Sequence, residues 1–441
     1  MQRELYMVRQ LLSALLSLLL LSLAPQAVAQ DASITIGPSN YPSGVNPLNG
    51  LTVSDPALLN RRPLIIKISN YPPLVRTLQH GVNEADVVWE TLLSGGITRF
   101  SAVFLSQDLP LVGPIRSGRL VDFELVRIYR ALYTYSGMAQ GTIDILNGDS
   151  LMLSRVVGGA GPCPPLCRYP QDGIALEHTL YGDTLGLRDL AVALGRDVTP
   201  EPVYGMAFGA DVPVSGVALN SASIRYTEQV VDWEWDAGSH RWLRTQDDEP
   251  HVDANDERIS AINVVIVEEE HTVQPEVVPD YWGPGDFAFS VNFIGSGRIV
   301  FLRDGRMWEG EWRRETREDP LTYFDSAGQP IIFEPGKTWF NLVPRWIDGY
   351  ELVLRAENPP TATVNGTTGV SMHYGPSELY RAPDVAYPGD MFAVYGRNWN
   401  GTWMQVQRGS ERHVWLPVER LDIGNLDVIT LPLVRPTIER G

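Results

Sequence analysis

From Val231 to Asp236 apolar and acidic residues alternate without interruption: Val231, Trp233 and Trp235 share one parity, Asp232, Glu234 and Asp236 the other. A period of two sends successive side chains to opposite faces, so this stretch predicts a half-buried β-strand. The turn-forming Ala237-Gly238-Ser239 leads into Trp242-Leu243, and Ile262 to Val267 reads as an apolar strand. Ile299 to Leu302 and Met307 to Trp312 flank Asp304-Gly305, a dipeptide suited to the positive φ angles of a tight hairpin. With 40 glycines, 33 prolines and 12 tryptophans among 441 residues, turns and aromatic strands are expected along much of the chain. Residues 203–344 are therefore expected to form an all-β, sandwich-like domain.

Upstream, Leu64 to Ile68 predicts a buried strand. Val87 to Leu93 and Ile97 to Leu105 predict a hairpin about Ser94-Gly95-Gly96. A Ser94-Gly95 turn sets Glu90 opposite Arg99, and a Gly95-Gly96 turn sets them diagonally. Both registers place the two on one face, where they read as a cross-strand ion pair. Gly113-Pro114 ends a strand. Ser117 is expected to cap a helix from about Gly118 to Leu132, and Thr184 to Leu194 predicts another, ended by Gly195. Residues 51–197 thus read as an α/β or α+β domain. Residues 345–365, with Pro359-Pro360, read as a linker to a compact β module over 366–433. The fold class is multidomain and β-rich.

Arg3 and Arg9 precede an apolar run from Leu11 to Leu23 and the small residues of Ala27-Val28-Ala29. This is the pattern of a secretory signal over residues 1–29, followed by a flexible segment over 30–50. The run is short for a span of roughly 20 residues, so no stable membrane span is expected after cleavage. The segment has no cysteine, and the chain is expected to be extracytoplasmic, secreted or wall-associated, and not a lipoprotein. A formal charge of −18 repels phosphate backbones and argues against nucleic acid as a partner. Cys163 and Cys167 are the two cysteines, and in an oxidising compartment they predict a local disulfide. A zinc site would need further ligands. His251, Asp253 and Glu257 lie in a polar stretch that reads as a turn between strands, and neither a metal nor a cofactor is expected.

Several stretches resemble the YerB-like family of bacterial envelope proteins: Ala85-Asp86-Val87-Val88-Trp89-Glu90, Gly95-Gly96-Ile97-Thr98-Arg99-Phe100 and Val112 to Arg119. Gly295-Ser296-Gly297, Arg303-Asp304-Gly305, Gly310-Glu311-Trp312 and Pro335-Gly336-Lys337-Thr338-Trp339 resemble its C-terminal domain. The family has no assigned function and is often found on lipoproteins. The resemblance implies an immunoglobulin-like β-sandwich over 203–344. Around His178 the chain reads Glu177-His178-Thr179-Leu180-Tyr181, where the family tends to a Pro-His-Asn-Leu-Tyr pattern. The last module is similar to a bacterial SH3-like barrel, through Gly375-Pro376-Ser377, Gly396-Arg397-Asn398, Gly401-Thr402-Trp403 and Val414-Trp415. Ser371-Met372-His373 replaces the usual Asn-Val-Arg lead into that turn. Such modules commonly attach exported proteins to cell-wall polymers or peptides.

Arg116-Ser117-Gly118-Arg119 at a helix start is the main candidate ligand site, with Arg99 beside it. Free N–H groups and the helix dipole favour an anion there, and arginines at that end oppose the dipole unless a carboxylate or phosphate accompanies them. The other reading is internal pairing with Glu90, Asp86, Asp122 or Glu124. Ser117 with His178 and Glu90 are the candidates for catalysis. The expected function is non-catalytic binding or scaffolding, with a cell-wall polymer or peptide or an envelope protein as partner. The alternative is a hydrolase or transferase acting on a wall peptide or glycan, with its site in the first domain.

Overall fold

The computed structural model describes residues 35–159, 161–213, 216–277, 288–345, 350–356, 359–407, 413–428 and 431–434; the expected signal segment, 1–29, lies outside them. No helix among the described residues is long and apolar enough to cross a membrane.

In chain order the first part gives β1 (Leu64–Ile68), β2 (Val87–Leu92), β3 (Thr98–Phe104), α1 (Leu120–Tyr129), β4 (Leu132–Thr134), α2 (Gln140–Asn147), α3 (Ser150–Leu153) and α4 (Thr184–Ala193). Then follow β5 (Ser221–Arg225), β6 (Val230–Asp236), β7 (Arg241–Gln246), β8 (Asn263–Glu269), β9 (Gly295–Arg303), β10 (Arg306–Arg314), β11 (Thr322–Asp325), β12 (Thr338–Pro344) and β13 (Glu351–Arg355).

Strands from both parts share one sheet, in the order β11-β10-β9-β8-β12-β2-β3-β1-β4. The joint is β12, which runs parallel to β8 on one side and to β2 on the other, with Glu90 beside Asn341. Hydrogen bonding therefore does not separate 51–197 from 203–344 as the strand patterns suggest. A parallel partner can lie anywhere beyond a long crossover, and no local pattern announces it. A second sheet carries β7-β6-β5-β13 and packs on one face of the first. There Trp233, Trp242, Ile224 and Leu352 meet Val88, Phe100, Ile266 and Trp339. The alternation at 231–236 is realised in β6, where Val231 and Trp233 are wholly buried. The other face of the large sheet is covered by α1, through Leu125, Val126 and Tyr129 against Ile65, Trp89 and Phe340. With both faces covered, every residue of β2, β3, β8 and β12 is buried.

The hairpin loop differs from both expected registers. Ser94–Gly96 form a three-residue turn, with Gly95 and Gly96 at φ 78° and 72°. The extra residue moves the register by one: Glu90 opposes Phe100, and Arg99 opposes Thr91. Glu90 and Arg99 therefore lie on opposite faces, and the expected ion pair between them does not form. The helix start also differs. The first helical residue is Leu120, so Arg119, not Ser117, is the cap residue, and Asp122 Oδ2 accepts its amide at 2.8 Å. Arg130, at φ 52°, ends the helix, and Leu132 belongs to β4. Within the segment expected to be flexible, Leu48 is fully buried, and Asn46 and Asn49 donate to Asp86 at 2.9 and 2.7 Å.

At the C-terminal end, β14 (Thr361–Val364), β15 (Met391–Arg397), β16 (Trp403–Gln407), β17 (Val414–Pro417) and β18 (Leu421–Asp422) form a sheet in the order β17-β16-β15-β14-β18, with its own apolar cluster. It takes in β14 from the stretch read as a linker. Cys163 and Cys167 form a disulfide.

Candidate functional site

Arg99 leaves β3 on the face that α1 covers. Arg116 and Ser117 lie on the extended segment between β3 and α1. Its backbone is held by Arg116 N to Lys67 O at 2.9 Å, Ile115 N to Leu180 O at 2.6 Å and Gly118 N to Gly137 O at 2.9 Å. Gly118 is required here: a Cβ would stand 2.7 Å from Tyr133 Oη and 2.6 Å from Met138 Cε. Arg119 follows at the cap of α1. The chain thus brings Arg99, Arg116, Ser117, Arg119 and His178 to the wall of one open cleft of 380 Å³, with Tyr71, Leu74, Ile97, Ala175 and Glu177 among its other walls.

Of the four acids that the sequence offered, Glu90, Asp86 and Glu124 are held by other partners, and Asp122 is shared with Lys67. Glu90 accepts Arg244 Nη2 at 2.7 Å, Thr98 Oγ1 at 2.7 Å and Asn341 Nδ2 at 3.0 Å on the far side of the sheet. Asp86 accepts Asn46, Asn49 and the Leu105 amide. Glu124 pairs with Arg314 at 3.1 Å and with Arg317. Asp122 is wholly buried beneath the cleft, where Oδ1 accepts Lys67 Nζ at 2.8 Å and Ser101 Oγ at 2.7 Å, and Oδ2 accepts Tyr133 Oη at 2.6 Å. One carboxylate thus faces one ammonium there, below the cleft wall that carries the three arginines.

Arg99 is the most telling of them. It is 6% exposed and donates to Ser117 O at 3.0 Å, and among the described residues no carboxylate lies within ion-pair distance of it. Burial first, then the like charges of Arg119 and Arg116, hold its pKa well below the usual arginine value. Arg119 Nη1 donates to Gly118 O at 2.9 Å, and Arg116 Nη1 to Glu177 O at 3.2 Å. A buried cation pressed by two others gains strongly from an anion between them.

His178 is buried in the turn Leu176–His178, and burial, then Arg116, push its pKa down to about 4, so the ring is neutral at pH 7. Its Nδ1 lies 3.3 Å from Ser69 Oγ; no hydrogen bond joins it to Ser117. Of the catalytic candidates, Ser117 and His178 share the cleft, and Glu90 is walled off in the other core. Sequence reasoning missed Lys67, the buried ammonium that takes Asp122. A lysine inside the apolar run Leu64 to Ile68 was the available signal, because a buried ammonium needs a partner.

Elsewhere, His240, Asp304 and Glu334 bring possible ligand atoms within 4.8 Å of one another, though His240 is exposed and Arg303 Nε already occupies Asp304. His251 uses both ring nitrogens, on Arg244 and on Gln79 Oε1 at 2.7 Å. Asp253 accepts the amides of Asn255 and Glu257, so this stretch is the polar turn its composition suggests.

Residues 48–195 match the N-terminal domain, and residues 222–340 the C-terminal domain, of the family described as protein of unknown function DUF3048. The chain belongs to the YerB-like family. This YerB-like chain is 25% identical over 311 residues to "Putative lipoprotein YerB" of Bacillus subtilis (strain 168), covering 68% of the chain and 86% of that relative. It also shares its fold with the crystal structure of the Bacillus subtilis YerB protein, with a TM-score of 0.57 and 23% identity, covering 70% of this chain and 98% of the other. The relative's name is at odds with the expectation that the chain is not a lipoprotein, and that expectation is withdrawn. It rested on a residue type missing between Met1 and Gln30, a stretch outside the described residues.

Proposed function

We propose that this YerB-like chain is an extracytoplasmic binding protein that holds an anionic group of a cell-wall component in the arginine cleft, without performing chemistry on it. The observation that carries the reading is Arg99: buried, pressed by the like charges of Arg119 and Arg116, and with no carboxylate of the described residues within ion-pair distance. Guanidinium groups grip carboxylates and phosphates through paired hydrogen bonds, and three around one cleft favour a bound anion over water. The resemblance of residues 366–433 to an SH3-like module, with Trp399 79% exposed on its turn, supports a second point of attachment to the wall. Partner envelope proteins fit the same surface chemistry.

The test is incubation of the purified protein with isolated cell wall, followed by mass spectrometry of the bound and soluble fractions. Retention that falls in Arg116→Gln and Arg119→Gln, with wall fragments unchanged, is the expected result. Retention unaffected by both substitutions overturns it. A second reading, a hydrolase or transferase, has one observation in its favour: Ser117 and His178 line the same cleft. New wall fragments that disappear with Ser117→Ala would establish that reading instead.

A further inference from the structure

Three side chains that do not line the arginine cleft meet where a hairpin of the second sheet touches one of the large sheet. His240 lies in the turn between β6 and β7, Asp304 in the turn between β9 and β10, and Glu334 just before β12. They are far apart in sequence, yet His240 Nε2 stands 2.8 Å from Asp304 Oδ1 and 3.3 Å from Glu334 Oε1. Each is held by its surroundings. The His240 ring sits edge-on to Trp235, with centroids 5.0 Å apart. The β9–β10 turn presses on the same indole, since a Cβ on Gly305 would stand 2.7 Å from Trp235 Nε1. Asn263 fixes the backbone of Glu334, donating to its carbonyl at 2.8 Å and accepting its amide at 3.0 Å. Arg303, wholly buried, donates from Nε to Asp304 Oδ2, which orients that carboxylate and leaves Oδ1 beside His240.

Arg303 offsets one of the two carboxylates. Glu334 has no cationic partner but His240 among the described residues, and its Oε2 is buried without a hydrogen-bond partner. Burial first, then the charge of Asp304, raise its pKa. A buried carboxylate oxygen left unpaired is costly, and a cation placed against it removes that cost. One imidazole nitrogen with two carboxylates is a donor set for zinc and its neighbours, whereas magnesium and calcium prefer oxygen alone. Zinc bonds of about 2.0–2.2 Å set neighbouring ligand atoms roughly 3–3.5 Å apart, close to the spacings around His240 Nε2. Of the 7 histidines, His240 is the one that is exposed, so it is the imidazole that a metal ion meets from solvent. We propose that His240, Asp304 and Glu334 bind a divalent transition-metal ion of the zinc type, which clips the β6–β7 turn of the second sheet to the β9–β10 turn of the large one. This site is independent of the arginine cleft and of what that cleft holds.

Titration calorimetry of the full chain at pH 7, first freed of metal by a chelator, tests this with zinc chloride and magnesium chloride. The expected result is one zinc ion per chain, bound roughly tenfold or more weakly by His240→Ala and by Glu334→Gln, because each loses a ligand. Magnesium is expected to bind far more weakly than zinc. Thermal unfolding gives a second readout: zinc should raise the melting temperature of the protein by more than that of either variant, because the ion binds the folded chain. Absence of zinc binding overturns the proposal and leaves the three side chains as an ion-paired cluster. Zinc bound as tightly by either variant as by the protein also overturns it, and so does magnesium bound as tightly as zinc. His240 is exposed, so His240→Ala leaves the core untouched and decides the matter even if Glu334→Gln fails to fold.

Discussion

Glu90 accepts a hydrogen bond from Arg244 at 2.7 Å, and both side chains are wholly out of solvent. Glu90 belongs to the large sheet and Arg244 to the second, so this pair is a charged clasp between the two layers. Arg244 also lies over the Phe100 and Trp339 rings at 5.3 Å. Removing one partner leaves the other charge buried and unpaired. Glu90→Ala is expected to destabilise the fold by about 3–5 kcal/mol, read from urea unfolding. A loss below about 1 kcal/mol would mean that Arg244 finds solvent or another acceptor.

The three-residue turn that sets this arrangement depends on Gly96. Its φ is 72°, and a Cβ there would stand 2.6 Å from Thr227 Cβ and 2.9 Å from Glu228 N. Gly96→Ala should cost roughly 1–3 kcal/mol from backbone strain and crowding. Thermal unfolding of the variant checks this.

His178 gives stability a pH dependence of defined sign. Its folded pKa, lowered by burial and then by Arg116, is about 4, against 6.5 for a free imidazole. As pH falls, the unfolded chain takes up this proton first. The contribution is fully present above about pH 6.5 and is lost as pH drops towards 4. The stability difference between the protein and His178→Gln should therefore shrink between pH 6.5 and 4. A difference that stays constant in denaturant titrations across that window would rule out the assignment.

Cys163 and Cys167 are four residues apart, so their disulfide closes a very short loop. Restricting so short a loop in the unfolded chain is worth about 2 kcal/mol. The double substitution Cys163→Ser, Cys167→Ser is expected to lower unfolding stability by no more than that amount and to leave the cleft intact, as judged by anion titration.

Trp399 is 79% exposed on the turn before β16. Trp399→Ala should change stability by less than about 0.5 kcal/mol, because the ring has little packing to lose. Wall retention that drops in this variant with an unchanged melting temperature would locate a contact of the C-terminal module with its partner.

Strand periodicity and turn chemistry made several elements legible before any coordinates. The period-two run at 231–236 became β6, Asp304-Gly305 became the hairpin joining β9 to β10, and Arg116, Ser117, Arg119 and Arg99 reached the same cleft. Register was not legible at Ser94-Gly95-Gly96. Two glycines allow several loops, and one added residue exchanges the faces of every side chain beyond it. The acids near the arginines were visible as well, but their partners were not. Arg244, Lys67 and Arg314 come from strands distant in sequence, and each takes a carboxylate that proximity along the chain would have assigned to the cleft.

What the sequence by itself determined is local: which runs are strands, where the chain turns, the disulfide between two nearby cysteines, and a set of arginines gathered at a helix start. These follow from side-chain period and backbone freedom over a few residues. The tertiary structure decided the pairing of β12 with β2, the face on which Glu90 lies, and the gathering of Arg99 and His178 with Arg116 and Arg119 on one cleft. Each of those depends on which distant group arrives next to which, and parallel strand pairing and buried charge pairing leave no local periodicity from which to read it.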